Sequence, residues 1–210
     1  MSDATRYQIP ARRARAEHVV DRSRFICTLD RAATPEDAQT FIREMNGEFA
    51  DATHNCWAFV AAAPGTTGRV GMSDDGEPHG TAGRPMLTVL LHSHVGEIVA
   101  VVTRYYGGVK LGTGGLARAY SAAVLGALAE LPREERVEYR EVTVIVAYSQ
   151  ISAVQHLLPQ YEADVVDACY DAEVRYRLRA PVEQLALLRG AVGNATSGAA
   201  VFLDDAAAGQ

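Results

Sequence analysis

Apolar positions recur along the first 130 residues in two periods, which predict strands and helices. A run of apolar, β-branched residues at 98–102 has the density typical of a buried strand. A period of 3.6 residues that begins at Leu116 predicts a helix with one apolar face. Thr34 before Pro35 predicts an earlier helix start, because threonine caps a helix and proline fits its first turn. Further strands are predicted at residues 7–9, 17–20, 24–29, 52–60 and 70–73.

Glycine and proline mark the breaks between these elements. A third helix is predicted to open at Gly80 and Thr81, after a loop rich in glycine and proline. A charged, proline-containing segment at residues 131–136 is predicted to be a linker. We therefore expect two domains, residues 1–135 and residues 136–210.

The second domain has a regular order of strand and helix patterns. Strands are predicted at residues 142–148, 163–170, 173–179 and 199–203, and helices are predicted to start near Ser149 and Pro181. The order β-α-β-β-α-β is typical of the ferredoxin-like arrangement. We expect an α+β protein whose tail, from Asp204, is disordered.

Composition narrows the partners and the compartment. The chain has 210 residues and a formal net charge of −6, so any contact with nucleic acid is expected to be local. It contains no run of 18 apolar residues, and its N-terminus has no apolar signal-peptide core, so we expect no membrane partner. Three cysteines, far apart and odd in number, favour a cytoplasmic location without a disulfide framework or a structural zinc site.

The first candidate site follows the valine-rich strand. Five glycines lie between Gly107 and Gly115, the only lysine of the chain is Lys110, and residues 98–129 contain no acidic residue. Backbone N–H groups at a helix start attract anions. The alternative is a tight turn that packs a strand closely against a helix. The residues expected to bind an anion or RNA here are Arg104, Lys110, Gly112, Gly114, Gly115 and Arg118.

A second candidate surface lies in the predicted ferredoxin-like sheet. Arg175, Arg177 and Arg179 alternate along one strand, so all three project from the same face. Helices cover only one face of such a sheet, and we expect the arginines on the open face, where RNA binds in similar domains. Pairing with nearby acidic residues or solvation is the alternative.

A third candidate is a polar loop and the strand before it. Clustered carboxylates bind hard cations or act as acid and base, but acids in a Gly-Pro loop also cap backbone N–H groups. The spacing matches no calcium loop, and the glycines of the first site lack the context of a dinucleotide or Walker A site, so no metal and no cofactor is predicted. The residues of this candidate polar loop are His54, Asp74, Asp75, Glu77 and Thr81.

Three longer motifs resemble the IMPACT/YigZ family. They are His54-Asn55-Cys56, residues 74–83 (DDGEPHGTAG) and residues 104–116 (RYYGGVKLGTGGL), with Tyr106 where phenylalanine is usual. The resemblance implies a first domain of the βαβ type seen in domain IV of elongation factor G. It also implies a ferredoxin-like second domain similar to domain V of that factor.

Residues and resemblance together favour a non-enzymatic protein that binds RNA, a ribosome or a translation factor, and thereby acts on translation. One alternative is a protein that binds a small anion or phosphate, or a hydrolase, through the acidic and glycine-rich loops. A protein-interaction module is the third possibility.

Overall fold

A computed structural model describes residues 5–203, which form two compact units with their boundary between Arg136 and Val137. The tail from Asp204, for which disorder is predicted, lies outside the described residues. No helix within residues 5–203 is long and apolar enough to cross a membrane.

The first unit contains a five-stranded sheet, a two-stranded sheet and three helices. Its strands are β1 (Arg6–Pro10), β2 (Ala14–Val20), β3 (Ser23–Arg31), β4 (His54–Val60), β5 (Val70–Ser73), β6 (Ile98–Tyr105) and β7 (Arg133–Val137). Its helices are α1 (Pro35–Glu48), α2 (Gly83–His92) and α3 (Gly112–Ala129). The larger sheet has the order β2-β3-β6-β4-β5 with antiparallel neighbours, and β1 pairs with β7. Because β3 and β4 both pair with β6, they run parallel and form a βαβ unit with α1, which confirms the expected fold class.

Alternation along β6 builds a core on each face of the sheet. Val99 and Val101 pack towards α1, with Phe41 and Met45 of that helix. Ile98, Ala100 and Val102 face the opposite way, into the core formed with α2 and α3. Strand β6 is therefore buried on both faces, which explains its nearly continuous apolar sequence.

Two predicted helix starts and one predicted linker are wrong. Helix α3 begins at Gly112 and not at Leu116, because its first turn extends beyond the core and carries no apolar side chain to mark it. Helix α2 begins at Gly83, after the residues expected to open it. Residues 133–137 form strand β7 instead of a linker, since their charged side chains lie on a narrow ribbon where polar residues are tolerated.

A buried carboxylate fastens the β1-β7 ribbon to the main sheet. Glu97 accepts hydrogen bonds from Tyr7 Oη at 2.9 Å and from Arg31 Nε at 3.0 Å. It also forms an ion pair with Arg136, whose Nε lies 2.6 Å from Glu97 Oε1. Burial and the hydrogen bond to Glu97 raise the pKa of Tyr7 to about 12. The last residue of the first unit is therefore tied to its interior.

The second unit has the expected ferredoxin-like topology. Its elements are β8 (Tyr139–Val146), α4 (Ile151–Leu157), β9 (Asp164–Tyr170), β10 (Val174–Pro181), α5 (Leu185–Ala195) and β11 (Val201–Leu203). The antiparallel order β11-β8-β10-β9 confirms the β-α-β-β-α-β prediction. Val174, Tyr176 and Leu178 of β10 are buried under the helices, so the intervening residues face outwards.

Candidate functional site

The first carboxylate of the acidic loop (residues 74–83) is bound by its own backbone. Asp74 Oδ2 accepts a hydrogen bond from the Gly80 N–H at 2.7 Å, and Oδ1 accepts from the N–H groups of Ala82 and Gly83 at 3.0 and 2.9 Å. Burial acts to raise the Asp74 pKa, but these three donors outweigh it and hold the pKa below its usual range. Asp74 thus replaces the missing side-chain cap of α2.

Another carboxylate of this loop, that of Glu77, lies in the protein interior. Glu77 Oε1 accepts hydrogen bonds from Arg104 Nη1 at 2.5 Å and from Tyr120 Oη at 2.8 Å. The side chains of Glu77 and Arg104 are only 3 % and 7 % exposed, so each charge is compensated by the other out of contact with bulk water. We call Cys56, Glu77, Arg104 and Tyr120 the buried polar cluster.

Cys56 completes this cluster as a protonated thiol. Its Sγ donates to the Asp74 carbonyl at 2.9 Å and lies 3.3 Å from Tyr120 Oη. Burial, the largest influence, raises the pKa of Cys56 to about 12, and burial also raises the pKa of Tyr120. A thiol with such a pKa is not a nucleophile at neutral pH.

The remaining residues of the candidate polar loop fasten it to β4. His54 Nδ1 donates to the Asp75 carbonyl at 2.7 Å, and the Asn55 N–H donates to Asp75 Oδ2 at 2.6 Å. The Thr81 hydroxyl donates to the Pro78 carbonyl at 2.6 Å. The structure therefore brings His54, Asp74, Asp75 and Glu77 together, but each already has a hydrogen-bond partner within the protein. In residues 5–203 no three His, Cys, Asp or Glu side chains form a group that could hold a metal ion.

The glycine segment (residues 107–115) has a different character. Gly107 lies against the β2-β3 turn, where an added Cβ would come within 2.1 Å of the Arg22 carbonyl carbon, and its N–H donates to Ser23 Oγ at 3.1 Å. Gly108 and Gly112, both with positive φ, have no neighbouring atom within 4 Å of an added Cβ. One end of the segment is thus packed and the rest is open.

Helix α3 begins in the open part of this segment with unsatisfied backbone donors. No side chain of the described residues caps its first turn, where Gly112, Thr113 and Gly114 are exposed. Arg118 lies over this turn, with Nη1 at 3.7 Å from the position of an added Cβ on Gly114. The partial positive charge of the helix start is therefore reinforced by a side-chain cation.

Three exposed cations lie in the glycine segment or contact it: Lys110 within it, Arg118 over the first turn of α3, and Arg22, whose backbone meets Gly107. Within residues 5–203 none of them has an ion-pair partner. Arg104, which the sequence groups with Lys110 and Arg118, lies instead in the buried polar cluster. The signal for this difference is Glu77, a carboxylate 27 residues earlier.

The alternating arginines of β10, Arg175, Arg177 and Arg179, lie on the face of the sheet opposite its core. Arg177 lies between two acids, 3.8 Å from Glu141 and 3.6 Å from Asp167. Arg179 packs over the Tyr139 ring, with Cζ at 4.1 Å from the centroid. Arg175 has no ion-pair partner among the residues that the structure describes. Among residues 5–203 the row therefore combines one arginine in ion pairs, Arg177, with two that have no ion-pair partner.

Sequence reasoning missed Tyr120 and the Asn55-Thr103 pair. Tyr120 occupies a core position of α3, and only its hydroxyl reveals a polar role. Thr103 donates to Asn55 Oδ1 at 2.7 Å, a contact between residues 48 positions apart. In the sequence, the only sign of a polar contact at Tyr120 or at the Asn55-Thr103 pair is a polar group at a position that the periodic pattern places in the core.

Comparisons with known proteins give one consistent family. Residues 21–128 match the Impact N-terminal domain model, and residues 144–199 match a domain of unknown function, DUF1949. The chain is 42 % identical over 178 residues to the IMPACT family member YigZ of Escherichia coli (strain K12), covering 85 % of this chain and 87 % of that protein. It is also 42 % identical over 168 residues to an IMPACT family member of Haemophilus influenzae, covering 80 % and 82 %.

A solved structure, described as the crystal structure of an hypothetical protein, aligns with a TM-score of 0.66 and 38 % identity. The alignment covers 95 % of this chain and 97 % of the other. The two family models together match both structural units, and the motifs at residues 54–56, 74–83 and 104–116 fall within the first of them. On these grounds the chain belongs to the IMPACT family.

Proposed function

We propose that this protein binds RNA, free or within a ribosome, through the glycine segment and the cations around it. One observation carries the proposal. The open first turn of α3 offers uncapped backbone N–H groups and is covered by Arg118. Lys110 lies in the same glycine segment, and the backbone of Arg22 contacts its first residue, Gly107. None of these three cations has an ion-pair partner within residues 5–203. Backbone phosphates bind at such positions.

The openness of this surface favours a polymer over an enclosed small anion. Within residues 5–203 no atom lies within 4 Å of a Cβ added at Gly108 or Gly112, so the backbone is open at these two positions. The absence of acidic residues from 98 to 129 favours anion binding by this segment although the chain is acidic overall.

The buried polar cluster supports a binding protein rather than an enzyme. Glu77 is paired with Arg104, and the carboxylate of Asp74 is saturated by backbone donors. Cys56 is protonated at neutral pH. The three cysteines are free thiols, as expected of the cytoplasm, where ribosomes are found.

The second unit adds a weaker contact in this proposal. Residues 137–210 contain ten acidic and five basic residues, so only the row formed by Arg175, Arg177 and Arg179 favours phosphate. Its effect on affinity is expected to be smaller than that of the first unit, because Arg177 is already paired.

The test is co-sedimentation with ribosomes, and binding to single-stranded RNA, at several salt concentrations. The variant Lys110→Ala/Arg118→Ala is expected to reduce the slope of log affinity against log salt by about 1.4, the value for two lost phosphate contacts on a single strand. The matched control is Arg43→Ala/Arg69→Ala, which removes two exposed arginines outside the glycine segment. Equal salt slopes for the two variants, or no binding by wild type at low salt, would refute the proposal.

A further inference from the structure

An exposed aromatic ring lies at the end of a stack of planar groups that starts in the core. Arg104 Cζ is 5.3 Å from the ring centroid of Phe25 and 5.6 Å from that of Tyr106. Phe25 is fully buried, whereas Tyr106 is 48 % exposed. A guanidinium held close to two rings stabilises both by cation–π attraction. The outer ring is thus supported from the inside and accessible from the outside.

Tyr106 is held by one contact of its ring and by contacts of the backbone at residues 106 and 107. The guanidinium beneath it is held by Glu77, and the buried Arg104 Nε has no hydrogen-bond acceptor within residues 5–203, which leaves aromatic contact as its available stabilisation. The Tyr106 N–H donates to Thr53 Oγ1 at 3.2 Å, and the next residue, Gly107, is packed against the β2-β3 turn. A ring ordered in advance loses little entropy when a ligand stacks on it.

The charges around Tyr106 favour nucleic acid as its ligand. Lys110 follows four residues later, within about 14 Å even if the chain is fully extended. Gly107 contacts the backbone of Arg22, another cation of the proposed RNA surface. Exposed aromatic rings next to cations that bind the backbone are how proteins recognise unpaired bases.

We propose that Tyr106 is the base-stacking residue of this surface and that the bound nucleic acid is therefore single-stranded RNA with an unpaired base over the ring. This inference rests on the proposed function, since it needs phosphates to be bound at the neighbouring cations. Stacking of a base on Tyr106 does not depend on salt, whereas the phosphate contacts of the cations do.

The experiment compares Tyr106→Leu with Tyr106→Phe, using a short single-stranded RNA that contains 2-aminopurine. The leucine variant is expected to bind about 10-fold more weakly, as for the loss of one stacked base, with the salt slope unchanged. The phenylalanine variant is expected to bind within about twofold of wild type, because a phenyl ring stacks equally well. Binding to wild type is expected to quench the 2-aminopurine fluorescence.

Two further oligonucleotides sharpen the test. With an RNA of the same length that lacks bases, wild type and Tyr106→Leu should bind equally, because only phosphates remain. A DNA strand of the same sequence and a base-paired RNA distinguish the source and the strandedness of the ligand. Preference for the duplex, or DNA binding as tight as RNA binding, would overturn this part of the proposal.

The failures of the two proposals are distinguishable. If Tyr106→Leu binds the base-containing RNA as wild type does, or if fluorescence is not quenched on binding, base stacking is refuted while salt-dependent binding stands. If wild type shows no salt-dependent binding at all, the proposed function is refuted together with this inference.

Discussion

The acidic loop and the glycine segment look alike as sequence and differ in what the fold does with them. Both are rich in glycine, carry charges and precede a helix. In the acidic loop, Asp74 caps α2 and Glu77 pairs with a buried arginine. In the glycine segment the start of α3 is uncapped, and Lys110 has no ion-pair partner within residues 5–203.

The difference shows that charge content alone does not distinguish a segment held by internal contacts from a binding surface. The useful question is whether each donor and acceptor already has a partner. Where the partners are internal, as for Glu77, a substitution is expected to change stability. Where they are absent, as for Lys110, a substitution is expected to change binding and leave stability nearly unaltered.

The largest effect is expected from removing one partner of the buried ion pair. Glu77→Ala leaves the Arg104 charge buried and unpaired, so the free energy of unfolding should fall by about 3–5 kcal/mol in urea titration. The double variant Glu77→Leu/Arg104→Met, which removes both charges, should lose less than half as much. A decrease in unfolding free energy below about 1 kcal/mol for Glu77→Ala would mean that the buried ion pair does not stabilise the fold.

The packed end of the glycine segment should respond next. Gly107→Ala places a Cβ about where the Arg22 backbone lies, so unfolding free energy should fall by about 1–3 kcal/mol. Gly126→Ala is the matched control, because Gly126 lies in α3 with no atom within 4 Å of an added Cβ. The control should gain about 0.5–1 kcal/mol from helix propensity. Equal responses of the two variants would contradict the close packing at Gly107.

Asp74→Asn tests the cap of α2 and its dependence on pH. Losing the carboxylate should cost about 1–2 kcal/mol at pH 7, since three backbone donors lose a charged acceptor. The Asp74 pKa is lowered in the folded protein, so its contribution is complete above the unfolded value, about 3.9, and is lost as pH falls further. The wild-type advantage in unfolding free energy should therefore be constant from pH 7 to about 5 and shrink below pH 4. An advantage that does not shrink at all between pH 5 and pH 2 would contradict this role of the carboxylate.

The smallest effect concerns reactivity and leaves the fold unchanged. Cys169 is exposed, whereas Cys27 and Cys56 are buried, and the pKa of Cys56 is raised to about 12. A thiol reagent at pH 8 should label one cysteine per native chain, and Cys169→Ser should abolish that labelling. In Glu77→Ala, Cys56 should become reactive because the loop above it loosens. Labelling of Cys56 in the native wild type would show that the acidic loop opens readily.

The sequence was sufficient for the order of elements in the second unit and for the faces of β10. Alternation places Val174, Tyr176 and Leu178 inside, and the structure confirms this burial. It was not sufficient at Gly112, where a helix turn outside the core leaves no apolar trace. Nor did it assign strand β7, whose charged residues resemble a linker until β1 is brought alongside by contacts far apart in the chain.

For the candidate site, local chemistry selected the candidate residues but did not indicate their partners. Sequence reasoning grouped Arg104 with Lys110 and Arg118 because these three basic residues lie in one stretch, residues 98–129, that contains no acidic residue. Its actual environment depends on Glu77 and Tyr120, which reach it from another loop and from α3. Pairing across such sequence distances is set by packing, which a single sequence does not encode locally.

The Glu97 contacts determine where this chain can be divided. Because Arg136 is held by Glu97 and β7 pairs with β1, residues 133–136 belong to the first unit although they resemble a spacer. A gene cut after Leu131 would remove a strand and leave a buried carboxylate with fewer partners. A cut after Val137 would keep both, so the portable version of this module includes the whole segment that its composition marks as a linker.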